Sequence, residues 1–266
     1  MTVTTAPDLL ATIVAATRRS VEVRAAARPL RMLEREVQRP PQGKAFEAAL
    51  QDPLRAPRVI AECKRRSPSK GILRGHYDAA AHARAYARAG AAAISVLTEP
   101  TFFDGAPEHL AAVRAAVDVP VLRKDFIVTE YQLVEAALLG ADAALLIVSA
   151  LAHEALIELL RASERLGLAT LVEAHSVDDL RRALDAGARI IGVNSRNLRT
   201  LAVDLAVLEE VAAQLPAGVI AVAESGIRSR DDLDRLSGAG YHAFLVGERL
   251  ISQPDPGAAL RELRGC

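Results

Sequence analysis

Two ionisable side chains stand two positions apart in the run Val59-Ile60-Ala61-Glu62-Cys63-Lys64. In an extended strand that spacing points Glu62 and Lys64 to one face and Cys63 to the other. A carboxylate and an ammonium at the end of an apolar run need a reason, because isolated buried charge is expensive. Pro68 and Gly71 end the strand, and the basic loop Lys64-Arg65-Arg66-Ser67-Pro68-Ser69 follows it. The pattern is an apolar strand delivering charged groups to a rim, and it reads as the first wall of an anion-binding active site. The same arrangement recurs downstream. Val121-Leu122-Arg123-Lys124 ends in Lys124, Leu171-Val172-Glu173 in Glu173, Gly192-Val193-Asn194 in Asn194 and Ala223-Glu224 in Glu224.

The elements that carry these groups alternate in type. Apolar runs that read as strands cover 59–64, 92–98, 119–126, 143–149, 169–175, 190–195, 219–225 and 243–247, with a period of roughly 20 to 25 residues. Helical patterns lie between them, at 78–89, 107–117, 130–139, 153–166, 177–186, 205–215 and 231–236, and a last one at 257–263. Several end in Gly followed by Ala, as in Gly90-Ala91, Gly140-Ala141 and Gly187-Ala188, and glycine past a helix end tolerates the left-handed conformation that closes it. The strands are near-continuous apolar runs, the signature of a parallel sheet covered on both faces. Eight strand–helix units in one series predict an α/β fold, a (β/α)8 TIM barrel. A doubly wound open sheet would usually carry a glycine-rich fingerprint after its first strand, where this chain has Lys-Arg-Arg-Ser-Pro-Ser.

Ahead of the barrel, residues 6–38 read as one or two amphipathic helices, broken by Pro40-Pro41-Gln42-Gly43 and followed by a short helix at 45–50. Residues 1–50 are therefore expected to form an N-terminal helical extension packed on the barrel, within a single domain spanning 1–266. The length of 266 residues suits one barrel of this kind. Formal net charge is zero and Trp is absent, which argues against nucleic acid and acidic membrane surfaces as partners. No run approaches the ~20 apolar residues of a membrane-spanning helix, and the N-terminus lacks a signal-peptide pattern. Cys63 and Cys266 make no metal spacing or disulfide framework. A cytoplasmic protein is expected, monomeric or weakly oligomeric, with a small phosphorylated molecule as its partner.

In such a barrel the active site lies at the C-terminal ends of the strands, where the polar residues collect. Besides the groups above, the second strand ends in Thr98-Glu99 and leads into Phe102-Phe103-Asp104-Gly105, while the fourth ends in Leu145-Leu146-Ile147-Val148, an apolar wall. Glu99, Asp125 and Glu248 read equally well as solvated strand ends. Lys64, Lys124 and Glu173 do not, since each terminates an otherwise apolar strand. Ser225-Gly226 and Gly247 follow strands seven and eight, where barrels commonly bind phosphate through backbone N–H groups; tight turns alone would also use glycine there. Glu248 conflicts with an anion seat unless its carboxylate points away. The six histidines show no metal-ligand spacing, and His175, two residues past Glu173, is expected to be a bystander at the rim. No Ser-His-Asp or Cys-His constellation is legible.

Taken together, Ile60-Ala61-Glu62-Cys63-Lys64-Arg65-Arg66-Ser67-Pro68-Ser69, Val121-Leu122-Arg123-Lys124-Asp125-Phe126, Asn194-Ser195-Arg196-Asn197-Leu198 and Ala223-Glu224-Ser225-Gly226-Ile227 closely resemble the indole-3-glycerol phosphate synthase family of tryptophan biosynthesis. The likeness runs in order over about 59–250, and the N-terminal extension is similar to the family's too. It implies ring closure of 1-(2-carboxyphenylamino)-1-deoxyribulose 5-phosphate with loss of carbon dioxide and water, by general acid–base catalysis without cofactor or metal, and association with other tryptophan-pathway enzymes is an expectation that goes with it. Ring closure turns a ketone into an alcohol and needs a positioned acid; the resemblance puts Lys124 in that role and Glu173 in that of the base in the dehydration. It implies that Lys64 meets the substrate carboxylate, that Glu62 and Glu224 hold the lysines and the substrate hydroxyls, and that Asn194 bonds the reacting centre. Phe103, Phe126 and Leu145 are then the pocket of the anthranilate ring. Arg196 and Ser225 face the substrate, and Ser67, Gly226 and Gly247 fit phosphate or loop positions. A lysine acid works best near neutral pH when its pKa is lowered, and the third strand with Lys64 opposite is expected to lower it. The family often has Ser after the last strand's glycine, where this chain has Glu248.

Two other readings fit less well. A related barrel such as phosphoribosylanthranilate isomerase would want a Cys/Asp acid–base pair at strand ends, whereas Cys63 is expected to face away. An inert barrel acting as a binding subunit would be expected to lose Lys124 or Glu173, and both are present.

Overall fold

The structure, a computed structural model, describes residues 8–266. Eight parallel strands close into a barrel: β1 Arg58–Cys63, β2 Ala93–Leu97, β3 Val121–Lys124, β4 Ala143–Ile147, β5 Ala169–Ala174, β6 Ile190–Asn194, β7 Ile220–Glu224 and β8 Ala243–Val246. Each pairs with the next in sequence, and β8 closes against β1. The sequence-predicted (β/α)8 barrel is the fold found. The register sets Leu97 opposite Lys124, Ile147 opposite Glu173 and Asn194 opposite Glu224, which brings the chemically interesting strand ends level with one another.

The period of two along each strand divides the core in two. One cluster lies between sheet and helices and includes Ala61, Cys63, Val96 and Val172. The other fills the barrel and includes Ile60, Leu122, Leu145, Leu171, Val222 and Leu245. Continuing the inward parity of these residues brings Glu62, Lys124, Glu173, Asn194 and Glu224 to the interior. Cys63 takes the outward face, fully buried, as expected.

The surrounding helices are α4 Ala79–Arg88, α6 Pro107–Ala116, α7 Glu130–Leu138, α8 His153–Leu166, α9 Val177–Asp185, α10 Ala206–Ala212, α11 Arg230–Gly238 and α13 Pro256–Arg264. Two short helices, α5 Pro100–Phe103 and α12 Glu248–Ile251, lie in the loops after β2 and β8 and have no clear signal in the sequence. Asp78, Ser176, Ser229 and Asp255 cap their helices with side-chain oxygens, each satisfying a backbone N–H that the helix cannot. The expected Gly–Ala helix ends are present, with Gly140 at φ 87°. Strand β3 is shorter than expected at both ends. Pro120 has no N–H to give to the ladder, and the Asp125 carboxylate accepts from the Phe126 N–H (2.8 Å) and from the Thr98 hydroxyl (2.6 Å), turning the chain away from the sheet. Strand β4 gives way after Ile147 to a 3-10 turn, Val148–Ala150.

The N-terminal extension is three helices, α1 Leu9–Ala27, α2 Leu30–Glu36 and α3 Gly43–Ala49. Pro29 separates the first two; the expected start at residue 6 lies outside the described residues. Leu10 and Ile13 of α1, Phe46 of α3 and Leu50 beyond it are buried in the same cluster as the barrel interior, while Val21 and Leu33 pack with Tyr131 and Val134 of α7. Gly43 opens α3 instead of breaking the chain before it: a Cβ there would lie 2.5 Å from the Ala169 nitrogen, so only glycine allows this approach.

Asp142, just before β4, ties these layers together. Its buried carboxylate accepts from Arg39 (2.8 Å), the Gln42 N–H (3.1 Å), Arg114 (2.9 Å) and the Val121 N–H (3.0 Å). Removing it strands two guanidinium groups and two N–H donors. Asp142→Ala should lower the unfolding free energy by about 3 kcal/mol, read from the urea midpoint, and Asp142→Asn should lose less.

Candidate active site

The C-terminal strand ends open into a cavity of about 530 Å³. Every residue singled out from the sequence as catalytic or substrate-binding lines it, Lys64, Lys124 and Glu173 among them. The convergence of two amines and an acid from separate strands on one rim is therefore present.

The floor is a cluster of paired charges. Lys124 Nζ lies 2.8 Å from Glu173 Oε2 and 3.4 Å from Glu224 Oε2, and Lys64 Nζ lies 2.6 Å from Glu62 Oε1. All three carboxylates are buried. Burial alone would lower the Lys124 pKa, but Glu173, Glu224 and Glu62 outweigh it and hold the ammonium above the usual lysine range. The expected lowering is thus corrected: in the free protein the neighbours of Lys124 are anions rather than cations. Burial raises the Glu173 pKa, yet Lys124 and His175 overcome it and keep that group ionised. Glu224 goes the other way. Burial and the negative charge of Glu173 prevail over the more distant Lys124 and push its pKa up, so of the two carboxyl groups Glu224 takes up a proton more readily.

His175 lies next to Glu173. Its Nε2 lies 3.3 Å from Glu173 Oε1, close enough for attraction though not aligned as a hydrogen bond. Glu173 Oε1 and Glu224 Oε1 have no protein partner, though both are buried beside the cavity. Asn194 Oδ1 accepts from the Arg196 N–H (2.9 Å), which turns the amide NH₂ loose for another acceptor.

Above the floor the walls differ. Phe103 and Phe126 pack with ring centroids 6.0 Å apart, beside Leu145 and Ile147 of the apolar β4 wall. Across from them Ser225 (φ 67°) and Gly226 (φ 74°) take consecutive left-handed conformations. For serine that backbone is uncommon and costs energy, and such strain gathers at functional positions. Ser67, Arg196 and Gly247 line the same side, joined by Lys70, Arg228, Arg249 and Glu248. Glu248 does not point away as an anion seat would require. It pairs with Lys70 and Arg196.

Glu99 and Asp125 are not solvated strand ends. Both are buried; Glu99 accepts from the N–H groups of Thr101, Phe102 and Phe103 and caps α5, and Asp125 pairs with Arg123 at 2.9 Å. Arg65 pairs with Asp104, whereas Arg66 is exposed.

A closed parallel barrel with an amine–carboxylate cluster at its C-terminal mouth, between an aromatic wall and a strained serine–glycine turn, is a barrel enzyme for a small anionic substrate. The comparison with known proteins gives the family. The model described as Indole-3-glycerol phosphate synthase matches residues 10–263. Among curated relatives, the indole-3-glycerol phosphate synthase of Carboxydothermus hydrogenoformans is 55% identical over 77% of this chain and 78% of its own length. That of Syntrophobacter fumaroxidans is 45% identical over 97% and 98%. The chain belongs to the indole-3-glycerol phosphate synthase family, carboxy-lyases of tryptophan biosynthesis. A solved thiamine phosphate pyrophosphorylase from Pyrococcus furiosus shares the fold, with a TM-score of 0.59 at 19% identity over 80% of this chain and 96% of its own.

Sequence reasoning missed one residue whose signal was present. Gly192 sits inside the apolar strand β6, and glycine within a strand often marks a close approach. A Cβ at Gly192 would lie 2.1 Å from Glu224 Oε1, and one at Gly247 would lie 2.3 Å from Glu62 Oε1. Both glycines make room for site carboxylates. Gly192→Ala should therefore displace Glu224 and lower kcat about 10- to 100-fold, with the far-ultraviolet circular dichroism of the fold unchanged.

Proposed function

We propose that the protein closes the indole ring of 1-(2-carboxyphenylamino)-1-deoxyribulose 5-phosphate, releasing carbon dioxide and water to give indole-3-glycerol phosphate. The observation that carries this reading is the 2.8 Å contact between Lys124 and Glu173 on the floor of a cavity with one aromatic and one glycine-lined side. The substrate has matching parts. Its anthranilate ring suits the wall of Phe103, Phe126 and Leu145. Its carboxylate suits Lys64, and its phosphate suits Ser225, Gly226, Gly247, Ser67 and Arg196.

The aromatic carbon bearing the carboxylate attacks the substrate ketone, and Lys124 donates a proton to the oxygen as it becomes a hydroxyl. Loss of carbon dioxide then restores the aromatic ring electrons. In the dehydration Glu173 accepts a proton from the ring carbon beside the nitrogen while Lys64 donates one to the departing hydroxyl, which leaves as water. The pairing of acid and base in the free protein fits this sequence of steps. Substrate entering between Lys124 and Glu173 separates them, removes much of the hold on the Lys124 proton and leaves Glu173 an open acceptor. Glu62 and Glu224 hold the lysines and substrate hydroxyls, and the free NH₂ of Asn194 faces the reacting centre.

Among the described residues no helix is long and apolar enough to cross a membrane. We further infer a cytoplasmic protein, working as a monomer or weak oligomer within one domain and alongside other tryptophan-pathway enzymes; two unpaired cysteines, one buried and one exposed, suit a reducing compartment.

Formation of indole fluorescence from the deoxyribulose phosphate tests the reaction. Lys124→Ala should remove turnover by about 10²- to 10⁴-fold while leaving substrate binding measurable. Glu173→Gln should slow turnover on a similar scale. Of the two carboxyl groups Glu224 is the one driven toward its protonated form, so Glu224→Gln should cost less than Glu173→Gln; the reverse order would exchange the two roles.

A further inference from the structure

Glu248 is a carboxylate on the phosphate side of the cavity, and its charge opposes an anion. It follows Gly247 directly, and it lines the cavity together with Ser67, Ser225 and Gly226. Its Oε1 lies 2.6 Å from Lys70 Nζ and its Oε2 lies 3.7 Å from Arg196 Nη2. Lys70 comes from the loop between the short strands Arg66–Ser67 and Gly71–Ile72, and Arg196 from the segment after β6. Arg196 also donates to Ser69 Oγ (3.3 Å) and to the Leu201 carbonyl (3.1 Å). One carboxylate thus occupies two cations that border the proposed phosphate seat and belong to separate loops. Burial raises the Glu248 pKa, but Lys70, Lys64 and Arg196 bring it below the usual carboxylate range, so the group stays ionised at neutral pH.

We propose that Glu248 is a built-in competitor of the substrate phosphate: it holds Lys70 and Arg196 in the free protein and yields them when a phosphate ester enters. This rests on the phosphate seat assigned above. A phosphate dianion carries more charge and more acceptor oxygens than a carboxylate, so the exchange favours the ligand. Retaining the carboxylate nonetheless weakens binding of substrate and product, and returns the cations to Glu248 as the phosphorylated product leaves. The effect is bounded. Lys70 and Glu248 are 56% and 30% exposed at their side chains, and pairs of that exposure are screened by solvent and salt.

The test is inhibition of turnover by inorganic phosphate at low ionic strength. Glu248→Gln keeps the shape and removes the charge. It should lower the inhibition constant of phosphate about two- to fivefold, the scale of a partly exposed ion pair, and lower KM in the same sense. Glu248→Ser should act likewise, Lys70→Ala added to Glu248→Gln should remove most of the gain, and affinity for the dephosphorylated substrate should not move. Competition by phosphate that is unchanged or weaker in both Glu248 variants would overturn the inference and leave the seat intact, making Glu248 a brace for the two cations. Phosphate that fails to compete in the wild-type protein and in the variants would overturn the seat, and the inference with it.

Discussion

The ion cluster of Lys124, Glu173 and Glu224 constrains everything around it. Two carboxyl groups and an ammonium buried within a barrel would be costly if any were left unpaired. The compensation is geometric. Parallel register sets β3, β5 and β7 so that their last inward residues meet at 2.8 and 3.4 Å, and Gly192 on the intervening β6 leaves space for the Glu224 carboxylate. The raised pKa of Glu224 eases the repulsion between the two carboxyl groups, because Glu224 takes up a proton more readily than an exposed glutamate. The cluster is still not fully satisfied, because Glu173 Oε1 and Glu224 Oε1 lack protein partners.

The same cluster gives the chemistry its direction. In the proposed mechanism Lys124, held charged by adjacent carboxylates, is stable in the free protein and a weak donor there. A ligand that parts Lys124 from Glu173 changes both groups at once, easing the proton from one and opening a lone pair on the other. The walls matter because they keep water from screening this change. Phe103, Phe126 and Ile147 exclude it on one side, and the proposed phosphate seat at the Ser225–Gly226 turn lies on the other.

Much of this was legible because strands repeat every two residues. Once Ile60, Leu122 and Leu171 are taken as inward, Glu62, Lys124 and Glu173 must be inward too, and the barrel rule puts them at one mouth. Motif likeness then supplied roles for side chains that periodicity only placed. What stayed hidden depended on distances between strands. The sign of the Lys124 shift turns on whether Lys64 or Glu173 is its nearer neighbour, and the inward face contains both. His175 was legible only as a rim residue two positions past Glu173, since its approach to Glu173 depends on how the chain leaves β5. Glu99 and Asp125 looked like solvent-facing ends because a cap and a buried ion pair have the same residue types as a solvated rim. Gly192 was the exception, a readable mark within an apolar strand.

Strand β3 shows why the outer layer cannot be separated from the site. Lys124 faces inward, and its neighbour Arg123 faces out, where it is almost completely buried. Arg123 donates to Thr98 Oγ1 (3.1 Å), the Gln132 carbonyl (2.7 Å) and Asp125 (2.9 Å), and approaches Glu135 at 3.4 Å. Glu135 in turn accepts from Arg24 of α1 at 2.7 Å. A guanidinium with no water must use its five donors on protein, so these bonds leave the end of β3 few alternative positions. Asp125 and Thr98 extend the same network into the turns after β3 and β2, next to Phe126 and the Glu99 cap that carries Phe103. The extension therefore touches the site through a chain of charge-assisted bonds: α1 steadies Glu135, Glu135 steadies Arg123, and Arg123 fixes the strand end that presents Lys124.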